Sequence, residues 1–189
     1  MNLHSAIDLA TAALPTHHQM ISNDLNEFGW SVVNEYIPSN LLTELFAESL
    51  VLRQTQQYRA AGISSGKVLS TERCDIISWI TPDSCLSAQQ QYMQQLNSLR
   101  FFLNRENYLG LNDLELHAAI YPENSFYKKH RDNFKNSNQR IVSVILYLNI
   151  DWNSNDGGQL RLYLPKKSID IEPIGGRLVV FLSEDFPHE

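Results

Sequence analysis

Residues 140–149 read RIVSVILYLN and residues 177–182 read RLVVFL. Each is a short apolar run rich in β-branched residues, and each reads as a strand. Between them, Gln159 to Leu164 and Ile169 to Glu172 give two shorter strands, punctuated by Gly157-Gly158 and Gly175-Gly176. Upstream, Leu114 to Tyr121 alternates, and Phe28 to Ile37 and Arg73 to Ile80 add further strands. Helical patterns occupy Ser5 to Leu14, ended by Pro15; Leu41 to Gln57, after Pro38-Ser39-Asn40; and Ser84 to Asn104, after Pro82-Asp83. Helices first and many short strands afterwards predict an α+β chain. Its expected form is a double-stranded β-helix (jelly-roll, cupin-like) barrel with supporting N-terminal helices.

A length of 189 residues, 43% hydrophobic and 19% charged, reads as a single domain over 1–189, with 1–27 as an N-terminal extension. The net charge of −6 and the absence of a long basic run argue against a nucleic-acid partner. No apolar stretch approaches the roughly 20 residues that span a bilayer, so no membrane partner is expected. The first 20 residues carry Asp8 and lack a basic start, unlike a secretory signal. Cys74 and Cys85 are then expected to be reduced thiols, in keeping with the cytoplasm. Gly62 to Lys67 resembles a phosphate loop only superficially. It is one residue short between its glycines and has Val68 where a hydroxyl should hold magnesium. Composition says nothing about oligomeric state.

The chemistry-bearing residues are His130-Arg131-Asp132 and, much later, His188. In an extended segment side chains at i and i+2 point the same way, so His130 and Asp132 can bind one ion together. His188 follows a strand and can arrive as the third ligand. Two imidazoles and a carboxylate form the facial triad of a non-haem Fe(II) oxygenase, with open positions for cosubstrate and O2. The H-x-D triplet alone would also suit solvated loop residues. Of the other histidines, His17-His18 reads as a surface pair and His117 as a packed core residue.

Several ordered blocks strengthen the metal reading. RCDIISWI (73–80), Tyr121-Pro122, then YKKHRDN (127–133) come first. Arg140 with YLNIDW (147–152), GGQLR (157–161), IEP (171–173), GRL (176–178) and PHE (187–189) follow. Together, over Phe28 to Glu189, they resemble the HIF prolyl hydroxylase-like (Egl-nine type) 2-oxoglutarate/Fe(II) dioxygenases and their bacterial relatives.

The resemblance implies Fe(II) held by His130, Asp132 and His188, with 2-oxoglutarate as cosubstrate, O2, and ascorbate as reductant. It places Tyr121, Tyr127 and Tyr147 around the 2-oxoglutarate, with Tyr147 bonding the distal carboxylate and Leu160 packing on the carbon chain. It puts Arg73, Asp75, Trp79 and Arg140 at the substrate mouth. The tyrosines could equally be barrel filling, and Asp75 an ion-pair partner of Arg140. Asp151 and Trp152 are expected to shape a turn, and Lys128, Lys129 and Arg131 to form a solvated basic patch. The family also places an arginine about nine residues after the distal histidine, where it pairs with the distal carboxylate. The sequence stops at Glu189, so a missing C-terminal end of the barrel is expected. The implied reaction hydroxylates an unactivated C–H bond while 2-oxoglutarate is decarboxylated to succinate, most directly on a peptidyl proline. A free amino acid or small metabolite is the alternative substrate. A non-catalytic binding barrel and a zinc hydrolase are the alternatives of another class.

Overall fold

The computed structural model describes residues 3–62, 71–132 and 140–189. Among the described residues three α-helices, α1 (Leu3–Glu27), α2 (Ser39–Gln54) and α3 (Ser87–Asn107), accompany eight strands. These are β1 (Trp30–Val33), β2 (Arg59–Ala60), β3 (Ile76–Ile80), β4 (Leu116–Ile120), β5 (Val142–Leu146), β6 (Leu160–Tyr163), β7 (Ser168–Ile171) and β8 (Leu178–Leu182). All pairing between them is antiparallel, in sheets ordered β1-β8-β5 and β2-β3-β4 and a β6-β7 hairpin. Among the described residues these sheets do not hydrogen-bond into a closed barrel. Isolated bridges His130–His188 and Leu162–His188 tie the hairpin to the segment carrying the first histidine.

The run RLVVFL becomes β8, the middle strand of its sheet, and it is buried on both faces. Leu178 and Val180 face the helices, among Ile21, Leu25, Leu41, Leu45, Leu96, Leu99 and Leu103. Val179 and Phe181 face the other way, among Leu160, Leu162, Ile171 and Phe186. Period-two alternation on a strand with two dry faces explains why the sequence is continuously apolar there. Each such side chain contributes about 1.5–3 kcal/mol of burial. Strand β5 splits in the same way: Val142, Val144 and Leu146 pack on the helix side, while Ile145 and Tyr147 face the hairpin. Beyond them the chains stay in register, Tyr147 N–H donating to Arg177 O at 3.0 Å and Gly175 N–H to Asn149 O at 2.9 Å. A Cβ at Gly175 would fall 2.5 Å from that carbonyl oxygen, so only glycine permits the approach.

Several expectations need correction. Helix α1 does not stop at Pro15 but continues to Glu27. Burial of Leu14, His18, Ile21 and Leu25 against the helix layer outweighs the lost hydrogen bond. His17-His18 is not a surface pair: His18 is buried, with its Nε2 3.2 Å from the Tyr36 hydroxyl and its ring beside Phe102. His117 is not in the core but on the exposed face of β4. The strand expected over Phe28 to Ile37 is confined to Trp30–Val33, because Glu35 turns the chain at φ 52°. The strand expected from Arg73 begins at Ile76. Helix α3 starts three residues late, where Glu48 of α2 accepts the N–H groups of Ala88 and Gln89 at 2.8 and 3.0 Å. A carboxylate satisfying orphan donors at a helix N-terminus is a capping contact that local sequence could not reveal. Most of the phosphate-loop look-alike (63–67), with Val68, lies outside the described residues, as does Asn133. No helix among the described residues is long and apolar enough to cross a membrane.

Candidate metal centre

Tyr127 to Asp132 is held on both sides by backbone. On one side Cys74 N–H donates to Phe126 O and Lys128 N–H to Glu72 O, both at 2.9 Å. On the other, His130 and His188 exchange both N–H···O bonds at 2.9 Å. That second pairing sets the two imidazoles opposite each other, with ring centroids 4.2 Å apart. The period-two geometry carries Asp132 to the same side. One ligand atom from each of His130, Asp132 and His188 lies within 4.8 Å of the others.

The donors are oriented as a metal ion needs them. His130 Nδ1 bonds Lys128 O at 2.7 Å and His188 Nδ1 bonds Phe186 O at 3.2 Å. A backbone carbonyl can only accept, so each Nδ1 carries the proton and each Nε2 lone pair is free. The two Nε2 atoms point to the carboxylate, His130 to Asp132 Oδ1 at 3.4 Å and His188 to Asp132 Oδ2 at 3.7 Å. Asp132 also accepts from the Ser143 hydroxyl at 2.6 Å, and Ser143 lies 2.8 Å from the Ser183 hydroxyl. Burial pushes the Asp132 carboxyl up, but the neighbouring His130 and His188 and the Ser143 hydrogen bond outweigh it, and the group lies well below the usual carboxylate range. Burial lowers His188, opposed by Asp132, which favours the neutral imidazole that binds metals. An ionised carboxylate with two carbonyl-anchored imidazoles is a donor set that fits a divalent first-row metal.

The remaining residues fall into three groups. Tyr147 and Leu160 pack together in the cluster between β5 and the hairpin. Burial raises the Tyr147 phenol, with Tyr121 adding to the rise and Arg177 opposing it, so it remains a proton donor at neutral pH. Tyr121 follows β4, half exposed, within electrostatic reach of Arg73, Asp75, Tyr127 and Asp132. Arg73, Asp75 and Tyr127 lie beside His130. Asp75 pairs with Arg73 through two contacts, at 2.6 and 2.8 Å, and not with Arg140 as weighed from sequence. Arg140 meets Glu115 at 3.3 Å. Trp79 and His117 are paired across β3 and β4 with ring centroids 5.1 Å apart, on a face within electrostatic reach of Arg73, Asp75, Arg140 and Asp132. Of the expected basic patch, Lys128 meets Glu72 and Lys129 covers the Tyr163 ring. Trp152 does close a turn, donating to Gly157 O at 2.8 Å.

Sequence reasoning missed Ser143 and Ser183. Ser143 had a signal: it is the polar interruption of RIVSVILYLN, in phase with Tyr147 and therefore on the same face.

Residues 116–189 match the model of the 2OG-Fe(II) oxygenase superfamily. The fold is similar to a Pseudomonas putida prolyl-4-hydroxylase, with TM-score 0.85 and 38% identity, over 90% of this chain and 89% of that one. A Trichoplax adhaerens prolyl hydroxylase, solved with a hypoxia inducible factor oxygen degradation domain peptide fragment, aligns at TM-score 0.86 and 29% identity. That alignment covers 94% of this chain and 84% of the other. The hypoxia-inducible factor prolyl hydroxylase of Caenorhabditis elegans is 28% identical over 100% of this chain, and human Egl nine homolog 1 is 29% identical over 87% of it. The chain spans 28% and 41% of the length of those two proteins. Triad, fold and similarity agree: the chain belongs to the 2OG-Fe(II) oxygenase superfamily, among the relatives of the hypoxia-inducible factor prolyl hydroxylases.

Proposed function

We propose that this protein is a 2-oxoglutarate- and Fe(II)-dependent oxygenase that hydroxylates a prolyl residue of a peptide or protein. The observation that carries the reading is the convergence of His130, Asp132 and His188 within 4.8 Å, both Nδ1 atoms engaged by carbonyl oxygens. The Pseudomonas putida prolyl-4-hydroxylase and the peptide-bound Trichoplax adhaerens enzyme support the substrate class. When bound, Fe(II) with 2-oxoglutarate and O2 supplies the oxidation of an unactivated C–H bond.

The chain's own residues do the positioning. Asp132 stays ionised, and the imidazoles of His130 and His188, each anchored through Nδ1 by a backbone carbonyl, present Nε2 beside it. Tyr147 donates a hydrogen bond to the distal carboxylate of the cosubstrate, and Tyr121 lines the same pocket. Leu160, buried beside Tyr147, packs on the carbon chain and keeps water away from it. Trp79 and Arg140 stand at the outer edge, where a peptide would lie. We further read 1–189 as one catalytic domain whose sheets form a double-stranded β-helix, acting in the cytoplasm with ascorbate as reductant.

The test is anaerobic titration with Fe(II) and 2-oxoglutarate, watching for the visible charge-transfer band, followed by O2 and a proline-containing peptide. The reading expects the band, succinate, and one oxygen atom from O2 in the peptide. Succinate with an unmodified peptide but an oxidised free amino acid would favour the small-substrate alternative. No band would overturn the oxygenase reading.

A further inference from the structure

Asp75, Arg73, Tyr127 and His130 form one continuous column running into the metal centre. The Asp75 side chain has no exposed surface, and that of Arg73 is only 14% exposed. The Asp75 carboxylate takes the Arg73 guanidinium as a fork, Nε to Oδ1 at 2.6 Å and Nη2 to Oδ2 at 2.8 Å. Two parallel contacts fix the plane of the guanidinium as well as its place. Its central carbon lies 4.4 Å from the centroid of the Tyr127 ring. The His130 imidazole lies on the same tyrosine, with centroids 3.4 Å apart and 17° between planes. Two planar groups cannot share one face of a ring at those distances, so Tyr127 is clasped between arginine and histidine. Backbone pairing fixes the arrangement, since Arg73 and Tyr127 are opposed in an antiparallel bridge.

We infer that this column is a positioning device for His130, through which Asp75 and Arg73 act on a metal ligand rather than on substrate. The inference rests on the proposed metal centre and goes beyond the roles that the family resemblance implied for Arg73, Asp75 and Tyr127. Two constraints on the imidazole complement each other. The bond from Nδ1 to Lys128 O fixes the direction of Nε2 within the ring plane. Stacking on Tyr127 fixes the tilt of that plane, which a single hydrogen bond leaves free. The column needs a flat cation at its base. Lysine keeps the charge but has neither the fork nor the plane. It needs a ring at Tyr127, with the hydroxyl's contact to Arg73 a secondary tie.

The experiment measures Co(II) affinity and the Co(II) ligand-field spectrum of the whole protein without cosubstrate, so that the readout is independent of turnover. Tyr127→Phe, which keeps the stacked ring, is expected to lose much less Co(II) affinity than Tyr127→Leu. Tyr127→Leu and Arg73→Lys are each expected to weaken Co(II) binding about tenfold and to shift the spectrum, the range seen when partners behind a ligand are lost. At saturating metal, the KM for a proline-containing peptide is expected to stay near wild type in Arg73→Lys. Circular dichroism and Tm establish that each variant is folded, and Asp75→Asn, which weakens the fork while keeping its shape, serves if Tyr127→Leu is not. Unchanged Co(II) affinity in Arg73→Lys with a raised peptide KM would overturn the inference and make Arg73 a substrate contact. Equal losses in Tyr127→Phe and Tyr127→Leu would overturn it by making the hydroxyl the active part. If the wild-type protein binds Co(II) yet forms no succinate with Fe(II), the oxygenase reading fails, while the Co(II) affinities still decide the column.

Discussion

The inner corner of the site and its outer mouth are built on opposite principles. At the corner every candidate ligand has a second partner: a carbonyl behind each imidazole, a serine behind the carboxylate, a clasped ring against His130. At the mouth Trp79 is 53% exposed, and Arg140 meets Glu115 in solvent at 3.3 Å. The contrast separates two tasks. Holding a metal needs donors fixed in direction before it arrives. Receiving a flexible substrate needs an apolar plate and charges that can adjust to it. Damage from substitution should therefore decline steeply from corner to mouth.

The largest effect belongs to Asp132→Ala, which removes the only anionic donor of the triad. Titration calorimetry with Fe(II) or Co(II) should show no binding at this centre, and succinate formation should cease. Retained turnover would break the contrast at its strongest point. Next comes Ser143→Ala, which takes away a hydroxyl bonded to Asp132 at 2.6 Å without touching a ligand. Metal affinity should fall about tenfold, with peptide KM unaffected at saturating metal. An unchanged affinity would show that the corner is less preorganised than its hydrogen bonds imply. The smallest effect is expected from Glu115→Gln, which removes an exposed ion pair. Urea unfolding should shift by no more than about 1 kcal/mol. A larger loss would show that the mouth is held as firmly as the corner.

The sequence made the strands of the C-terminal half legible because burial on two faces writes a continuous apolar run, as in RLVVFL. It made the triad legible because His130 and Asp132 are two residues apart and extended geometry aligns them. What it could not show were choices decided by distant partners. Asp75 could have met either arginine, and it pairs with the neighbour two residues away through two contacts, while Arg140 meets Glu115. Glu48 caps α3 from another helix. His18 looks hydrophilic beside His17, yet helix phase turns it toward Tyr36 and Phe102. Pro15 is a stop signal that holds only where no tertiary packing opposes it.

His188 occupies the seam where the hairpin meets the segment of His130: its backbone bridges to His130 and to Leu162, and the Arg161 and Glu189 backbones exchange both bonds beside it. A group that binds this residue only when the seam is closed pulls the closing equilibrium with it, by an amount set by its concentration over its dissociation constant. The amides along this seam then report ligand supply through their exchange with solvent.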